Sequence, residues 1–323
     1  MSFSDVDLRM MAEALRLAER GRYSTSPNPR VGCVICRDGQ LISQGWHQRA
    51  GEGHAEVNAL AQLSDAKGAT AYVTLEPCSH QGRTPPCADT LIHAGVSRVV
   101  VAMEDPNPLV AGRGITRLRE VGIHVDLGLM AAQAEALNPG FMRRMRGGLP
   151  WLRLKSASSI DGRTAMASGE SQWITGPEAR ADVQKLRAQS CAILSGVETI
   201  LYDDAALTVR PDSFSVEDVS AQALKGKWRQ PLRVIVDSSL RTPPTAKLLA
   251  GGGEVLIATR VTDIAKQKAL IAAGAKIVVI EDDGGGKVSL PALMRYLADR
   301  GCNEVLLEAG AVLAGAALRA GLV

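Results

Sequence analysis

Long apolar runs are missing from this chain. No stretch approaches the ~20 residues a helix needs to cross a bilayer, so a helical membrane protein is excluded. Aromatic residues are scarce, at 3% of 323 positions, too few for a platform that stacks single-stranded bases. Neither sign of charge dominates. The 37 Lys and Arg against 34 Asp and Glu leave +3, which argues against a general nucleic-acid binder but leaves room for a local basic pocket that takes a phosphorylated small molecule. Cysteine is sparse too. Six residues, at positions 33, 36, 78, 87, 191 and 302, are scattered too widely for a disulfide framework, which leaves metal binding or core packing as their use. The G-x-G-x-x-G signature of a dinucleotide-binding turn is absent.

What is present suits an α/β protein of two domains. Hydrophobic residues make up 46% and charged residues 22%, which is enough apolar content for two cores over this length. Residues 4–20 predict a helix with Leu8, Met11, Leu15 and Ala18 on one face, a capping box at Ser4 and Asp7, and a stop at Gly21. This reads as the first helix of a folded domain rather than a signal peptide, and the cytoplasm is the expected compartment. After a loop at 24–29, strands are expected at 30–36 and 40–45 around a turn at Asp38-Gly39. A helix at 54–63, a strand at 71–75, a helix at 88–94, a strand at 98–103 and a helix at 114–121 follow. Such alternation predicts a largely parallel sheet covered by helices.

The pattern breaks at 143–150, where Arg143, Arg144 and Arg146 precede Gly147, Gly148 and Pro150. The boundary is placed there, giving domains 1–146 and 147–323. The second series predicts strands at 151–157, 192–196, 232–237, 254–258, 276–280 and 304–308, with helices that include 177–188, 290–300 and 313–320. A parallel series of this kind normally runs into another strand after its last helix. Either something else finishes the sheet or further strands lie beyond Val323, and the second is expected.

The chemistry concentrates in Gly53-His-Ala-Glu-Val57, Glu76-Pro-Cys78 and Cys87. Catalytic zinc takes three protein ligands in a tetrahedron and keeps the fourth position for water. His54, Cys78 and Cys87 supply that set, and bound water ionises near neutral pH. Glu56, two residues past the ligand His54 at a helix start, can reach the water without ligating the metal, and so can shuttle protons. The plainer alternative is that the two cysteines are ordinary thiols and His54 a helix cap; another is that His80 replaces one ligand. Cys33 and Cys36 form a C-x-x-C pair, but in a strand residues three apart face opposite ways, so this pair is not expected to act together. His93 and His124 stand alone; His47 precedes the metal loop.

The His-x-Glu with a later Pro-Cys resembles the cytidine deaminase superfamily, whose signature is H-x-E followed by P-C-x-x-C. Here eight residues, not two, separate the cysteines. That longer spacing, together with Ser26-Pro-Asn-Pro-Arg-Val-Gly-Cys33, Thr74-Leu-Glu-Pro-Cys-Ser-His80, Gly82-Arg-Thr-Pro-Pro-Cys87 and Asp105-Pro-Asn-Pro-Leu-Val-Ala-Gly112, resembles the bifunctional riboflavin-biosynthesis deaminase/reductases. In the second half Ala157-Ser-Ser-Ile-Asp-Gly-Arg163, Gly169-Glu-Ser-Gln-Trp-Ile-Thr175, Asp203-Asp-Ala-Ala-Leu-Thr-Val-Arg210 and Glu308-Ala-Gly310 are similar to that family's reductase.

The resemblance implies a cytidine-deaminase-like three-layer α/β/α domain followed by a dihydrofolate-reductase-like α/β domain, with Zn2+ and NADPH as cofactors. It implies deamination of 2,5-diamino-6-ribosylamino-4(3H)-pyrimidinone 5′-phosphate, then reduction of the ribosyl group of the product to ribityl. It places deaminase substrate contacts at Asn28, His47, Arg83 and Asn107. It places NADPH contacts at Ala157, Trp173, Thr199, Asp203, Ser238 and the loop from Gly310. Reductase substrate contacts fall on Ser171, Arg187, Leu207, Arg210 and Glu308. Arg187 and Arg210 suit a phosphate, and Gly310 lets backbone amides approach a cofactor phosphate. Asp161 and Glu308 are both open as proton donor. Small-molecule partners are expected, with no nucleic acid or membrane, in a homo-oligomer. Two rivals remain at this point: a zinc deaminase of a nucleoside or RNA, and a non-enzymatic zinc-binding module.

Overall fold

The structure, a computed structural model, describes residues 3–79, 85–108, 110–168, 170 and 173–323. It forms two compact units, one of residues 1–147 with 216–226, the other of 148–215 with 227–323.

In the first unit, α1 (Asp5–Glu19) starts at the capping box read from the sequence. Ser4 Oγ accepts from the Asp7 N–H at 3.2 Å and the Asp7 carboxylate accepts from the Ser4 N–H at 2.9 Å. It stops at Gly21 as expected, with Arg20 in a right-handed conformation as the C-cap. Next come β1 (Gly32–Arg37), β2 (Gln40–Trp46), α2 (Ala55–Leu60), β3 (Thr70–Val73), α3 (Cys87–His93), β4 (Arg98–Val101), α4 (Arg113–Glu120), β5 (His124–Leu127), α5 (Ala131–Leu137) and α6 (Pro139–Gly147). The sheet order is β2-β1-β3-β4-β5. β3, β4 and β5 run parallel, as alternation with helices predicts, while β1 is antiparallel to both its neighbours. The cause is the tight turn at Asp38 and Gly39, whose φ angles of 51° and 76° suit a two-residue hairpin.

Strand side chains alternate between two cores. Cys33, Ile35, Val73, Val99 and Val101 pack with Ala59, Leu91 and Leu118 of α2, α3 and α4. Val34, Cys36, Tyr72 and Val100 pack with Met11, Leu17, Ala134 and Phe141 of α1, α5 and α6. Three layers result, and Cys33 and Cys36 are held on opposite faces of the sheet. Burial pushes both thiols up, so neither behaves as a reactive thiolate. α2, which carries the site, sits hard against β2: a Cβ on Gly45 would lie 2.4 Å from the Ala59 nitrogen.

The arginines at 143, 144 and 146 do not lie in a flexible break; they ride on α6, anchored by buried Phe141 and Met142. Arginine is a good helix former, and the Gly147-Gly148 pair ends the helix just beyond it.

The second part of the chain gives β6 (Trp151–Lys155), α7 (Pro177–Gln189), β7 (Ala192–Gly196), α8 (Val197–Asp203), α9 (Val219–Ala223), β8 (Leu232–Val236), α10 (Lys247–Ala250), β9 (Val255–Thr259), α11 (Ile264–Ala272), β10 (Ala275–Val279), α12 (Leu290–Asp299), β11 (Glu304–Glu308) and α13 (Ala311–Arg319). Of these, α9 belongs to the first unit, where Ser220 Oγ donates to the Glu19 carbonyl at 2.9 Å. The other elements form a wholly parallel six-stranded sheet, β10-β9-β8-β7-β11-β6. Leu194, Val234, Leu256 and Leu307 face α12 and α13 in one core, while Ile193, Ile235 and Ile257 face α8, α10 and α11 in another. No described helix is long and apolar enough to cross a membrane.

Candidate active sites

Three elements of the first unit bring the metal-ligand set together. His54 occupies the N-cap position of α2, Cys78 follows β3 past Pro77, and Cys87 is the first residue of α3. Their ligand atoms all lie within 4.8 Å of one another. His54 Nδ1 is 3.2 Å from Cys87 Sγ and 3.6 Å from Cys78 Sγ. Ligands about 2.0–2.3 Å from one tetrahedral ion stand about 3.5 Å apart, so the donor set fits zinc. The eight-residue spacing between the cysteines does not keep them apart. His80, the alternative ligand, and Arg83 lie outside the described residues.

The electrostatics of this set are those of a cation site. Bonding to Cys87 holds the Cys78 thiol far below its ordinary range, and the Cys87 N–H at the start of α3 also points to Cys78 Sγ, at 3.4 Å. The same bond, with burial, pushes Cys87 up. A divalent ion would be held here by the His54 imidazole and the Cys78 and Cys87 sulfurs as thiolates. Glu56, in the first turn of α2, is 3% exposed. Burial, then the Cys78 charge, push its carboxyl up to about 7, where a group can both take and give a proton.

Asn28 and His47 form a linked pair beside the ligands. His47 Nδ1 is 3.1 Å from the Gly53 carbonyl, and its Nε2 is 3.1 Å from Asn28 Nδ2. A carbonyl can only accept and an amide nitrogen can only donate. The imidazole is therefore neutral with its proton on Nδ1, consistent with burial pushing its pKa down. Its ring stands edge-on to His54, with centroids 5.2 Å apart. Asn28 keeps its amide oxygen uncommitted among the described residues. Asn107 is held by its backbone, its N–H donating to Asp105 Oδ1 at 2.8 Å.

In the second unit the expected NADPH contacts fall along one edge of the sheet. Ala157, Thr199, Ser238 and Gly310 each follow the C-terminal end of a strand: β6, β7, β8 and β11, respectively. Those four strands are adjacent in the order β8-β7-β11-β6, and the carboxyl ends of parallel strands are where open α/β sheets take ligands. Gly310 is the exposed N-cap of α13, and nothing lies within 4 Å of a Cβ built there. Asp203 ends α8. Trp173 is exposed and stacks under Arg180, 4.6 Å away. Ser238 Oγ is occupied as acceptor of the Val288 N–H at 3.1 Å.

The expected reductase substrate contacts divide. Arg187 and Glu308 meet in a forked pair at 2.6 and 2.8 Å, and Arg187 Nη1 also donates to the Thr208 carbonyl at 2.9 Å. Its fork is thus engaged with a carboxylate rather than offered to a phosphate. Arg210 is exposed and makes no ion pair among the described residues, with its backbone N–H held by Gln184. Leu207 is buried in the core, and both it and Asp204 are left-handed, with φ 52° and 44°. Two non-glycines in that region within four residues mark a strained loop, which is a usual property of ligand clamps. Ser171 lies outside the described residues. Sequence reading overlooked Ser195, a fully buried hydroxyl that donates to the Glu308 carbonyl at 2.6 Å. A lone serine inside an apolar strand was its one signal.

Comparison with known proteins agrees with both halves. The cytidine and deoxycytidylate deaminase zinc-binding region matches residues 4–103, and the RibD C-terminal domain matches residues 150–323. Riboflavin biosynthesis protein RibD of Escherichia coli (strain K12) is 53% identical over 97% of this chain and 84% of its own length. The structure of Acinetobacter baumannii RibD superposes with a TM-score of 0.88 at 47% identity, covering 98% of this chain and 84% of that one. A Thermotoga maritima diaminohydroxyphosphoribosylaminopyrimidine deaminase/5-amino-6-(5-phosphoribosylamino)uracil reductase gives 0.80 at 31% identity, covering 94% and 81%. The chain therefore belongs to the RibD family and is a bifunctional enzyme of riboflavin biosynthesis, a deaminase and a reductase with Zn2+ and NADPH as cofactors.

Proposed function

We propose that this chain deaminates 2,5-diamino-6-ribosylamino-4(3H)-pyrimidinone 5′-phosphate and then reduces the ribosyl group of 5-amino-6-(5-phosphoribosylamino)uracil to ribityl. The Thermotoga maritima relative bears the names of both reactions. The observation that carries the first step is the gathering of His54, Cys78 and Cys87 with a buried Glu56 at their side. His54, Cys78 and Cys87 would hold the zinc, which when bound supplies Lewis acidity toward water. Glu56 takes the proton that water gives up as its oxygen bonds to the amine-bearing ring carbon. Glu56 then protonates the ring nitrogen, and later passes the second proton of that water to the amine. The carbon–nitrogen bond breaks, ammonia leaves, and a ring carbonyl remains. Asn28, braced by His47, presents an acceptor to the ring edge, with Asn107 and Arg83 as the other contacts.

For the second step NADPH supplies a hydride. Ala157, Thr199, Ser238 and Gly310 would line the cofactor along the sheet edge, joined by Trp173 and Asp203. Arg210, Leu207 and Ser171 would meet the substrate, while Arg187 and Glu308 orient one another beside it. We assign the deaminase to residues 1–146 and the reductase to 147–323, working in the cytoplasm on small phosphorylated pyrimidines. The homo-oligomer implied by the family resemblance is decided by sedimentation.

The test is Glu56→Gln, which keeps the shape and removes the titrating group. About one zinc per chain is expected to remain, and ammonia release to fall by about 10²–10⁴-fold. NADPH oxidation on pre-deaminated substrate is expected to continue. Deamination by this variant near the wild-type rate would remove Glu56 from its role.

A further inference from the structure

Glu76 lies two residues before the ligand Cys78 and is 3% exposed. No Lys or Arg pairs with it among the described residues. Its partners are instead four backbone N–H groups. Oε2 accepts from Asp105 at 3.1 Å and from Gly112 at 2.9 Å. Oε1 accepts from Gly114 at 2.8 Å and from Ile115 at 3.2 Å. Two of these donors belong to the first turn of α4, whose N–H groups lack partners within the helix. The local cap, Gly112, has no side chain to serve them. Glu76 therefore caps α4 from a distance of more than thirty residues along the chain. The other two donors, Asp105 and Gly112, bracket the loop that carries Asn107.

We propose that Glu76 is a positioning residue for deamination, a carboxylate clamp that fixes the Asn107 loop against the strand end bearing Cys78. The inference rests on the reading of Asn107 as a substrate contact. Inside the loop the clamp is relayed: Asp105 Oδ1 accepts the Asn107 N–H at 2.8 Å, and the Asn107 carbonyl accepts from Val110 and Ala111 at 2.8 and 3.0 Å. On the other side, Pro77 joins Glu76 to Cys78 with its φ fixed by the ring. A second contact locks the same two segments. A Cβ on Gly114 would lie 1.9 Å from the Pro77 carbonyl oxygen, so the α4 backbone rests directly on the Pro77 peptide. A ring held by Asn107 is thereby kept in register with the metal ligands.

Glutamine at this position cannot reproduce the clamp. Its amide offers one oxygen and one NH2, and the NH2 end must face two N–H donors whichever way it turns. Two of the four bonds are lost and two donors, at least one of them buried, go unsatisfied. The loop ends loosen, and the cost of ordering Asn107 is then met at substrate binding. The effect belongs in KM more than in kcat.

The experiment compares wild type, Glu76→Gln, Asn107→Ala and the double variant for zinc per chain and for KM and kcat of ammonia release. Glu76→Gln is expected to keep about one zinc per chain, raise KM about tenfold and change kcat by less than about threefold. The double variant is expected to match Asn107→Ala alone, because both changes remove one interaction. The proposal is overturned if Asn107→Ala raises KM and Glu76→Gln does not, if the two KM factors multiply, or if Glu76→Gln loses zinc with KM unchanged. An unchanged KM in Asn107→Ala shows that the substrate-contact reading itself has failed, and the clamp falls with it. Should Glu76→Gln not accumulate as a folded protein, Glu76→Asp retains the carboxylate one methylene short; a KM rise is again expected, and an unaltered KM overturns the proposal.

Discussion

Arg187 directs its Nε and Nη2 at the two oxygens of Glu308, with the side chains 13% and 10% exposed. The family resemblance makes each a separate substrate contact, and Arg187 by its chemistry suits a phosphate. Their pairing was not legible, because the two lie 121 residues apart. A charge this far from water is costly without its counter-charge. Arg187→Ala is expected to destabilise the fold by about 3–5 kcal/mol, read from denaturant midpoints. Arg187→Lys is not expected to restore it, since an ammonium cannot fork. A loss below about 1 kcal/mol would mean the pair is adequately hydrated and carries little of the fold. The metal ligands show the opposite case. Their chemistry is so restricted that one histidine and two cysteines could be picked from the sequence and found together in space. Glu76 stands two residues before Cys78, yet nothing local reveals a carboxylate whose partners are distant backbone amides.

At the scale of elements, hydrophobic alternation gave away nearly every strand, while the short β5 and the helices α5 and α6 were missed or taken for a break. Their few residues carry too little period to stand out. The antiparallel β1 depends on a turn geometry that Asp38 and Gly39 allow but alternation does not encode. α1 also acts beyond its own length. Asp7 caps it and, 4% exposed, accepts from Tyr72 Oη on β3 at 2.8 Å and from Arg98 Nη1 on β4 at 2.7 Å. Burial alone would raise the Asp7 carboxyl. Arg98, then the Ser4 N–H, Tyr72 and the Ser4 hydroxyl outweigh it and hold the group well below the usual range. A group lowered by folding stabilises fully above its unfolded pKa, about 3.9, and loses that contribution as pH falls toward its folded value. Asp7→Asn is therefore expected to lower stability at pH 7 and to flatten the acid limb below about pH 4. Parallel acid limbs in urea titrations of the two proteins would show that Asp7 does not tie α1 to the sheet.

Across the whole molecule, the return of 216–226 to the first unit was not visible in the sequence. Five helical residues in α9 and the Tyr23–Asp218 bond at 3.0 Å, 195 residues apart, leave no local mark. The reductase half had no cofactor fingerprint of its own. What orders it is topology, which sets Ala157, Thr199, Ser238 and Gly310 at the ends of four neighbouring strands, a regularity that appears only once the sheet order is known. The deaminase half stands or falls on its metal, and the zinc K-edge absorption spectrum of the purified chain reads that directly. Two sulfurs at about 2.3 Å with two lighter atoms, nitrogen or oxygen, at about 2.0 Å are expected. A shell of nitrogen and oxygen alone, or of four sulfurs, would contradict the assignment of His54, Cys78 and Cys87.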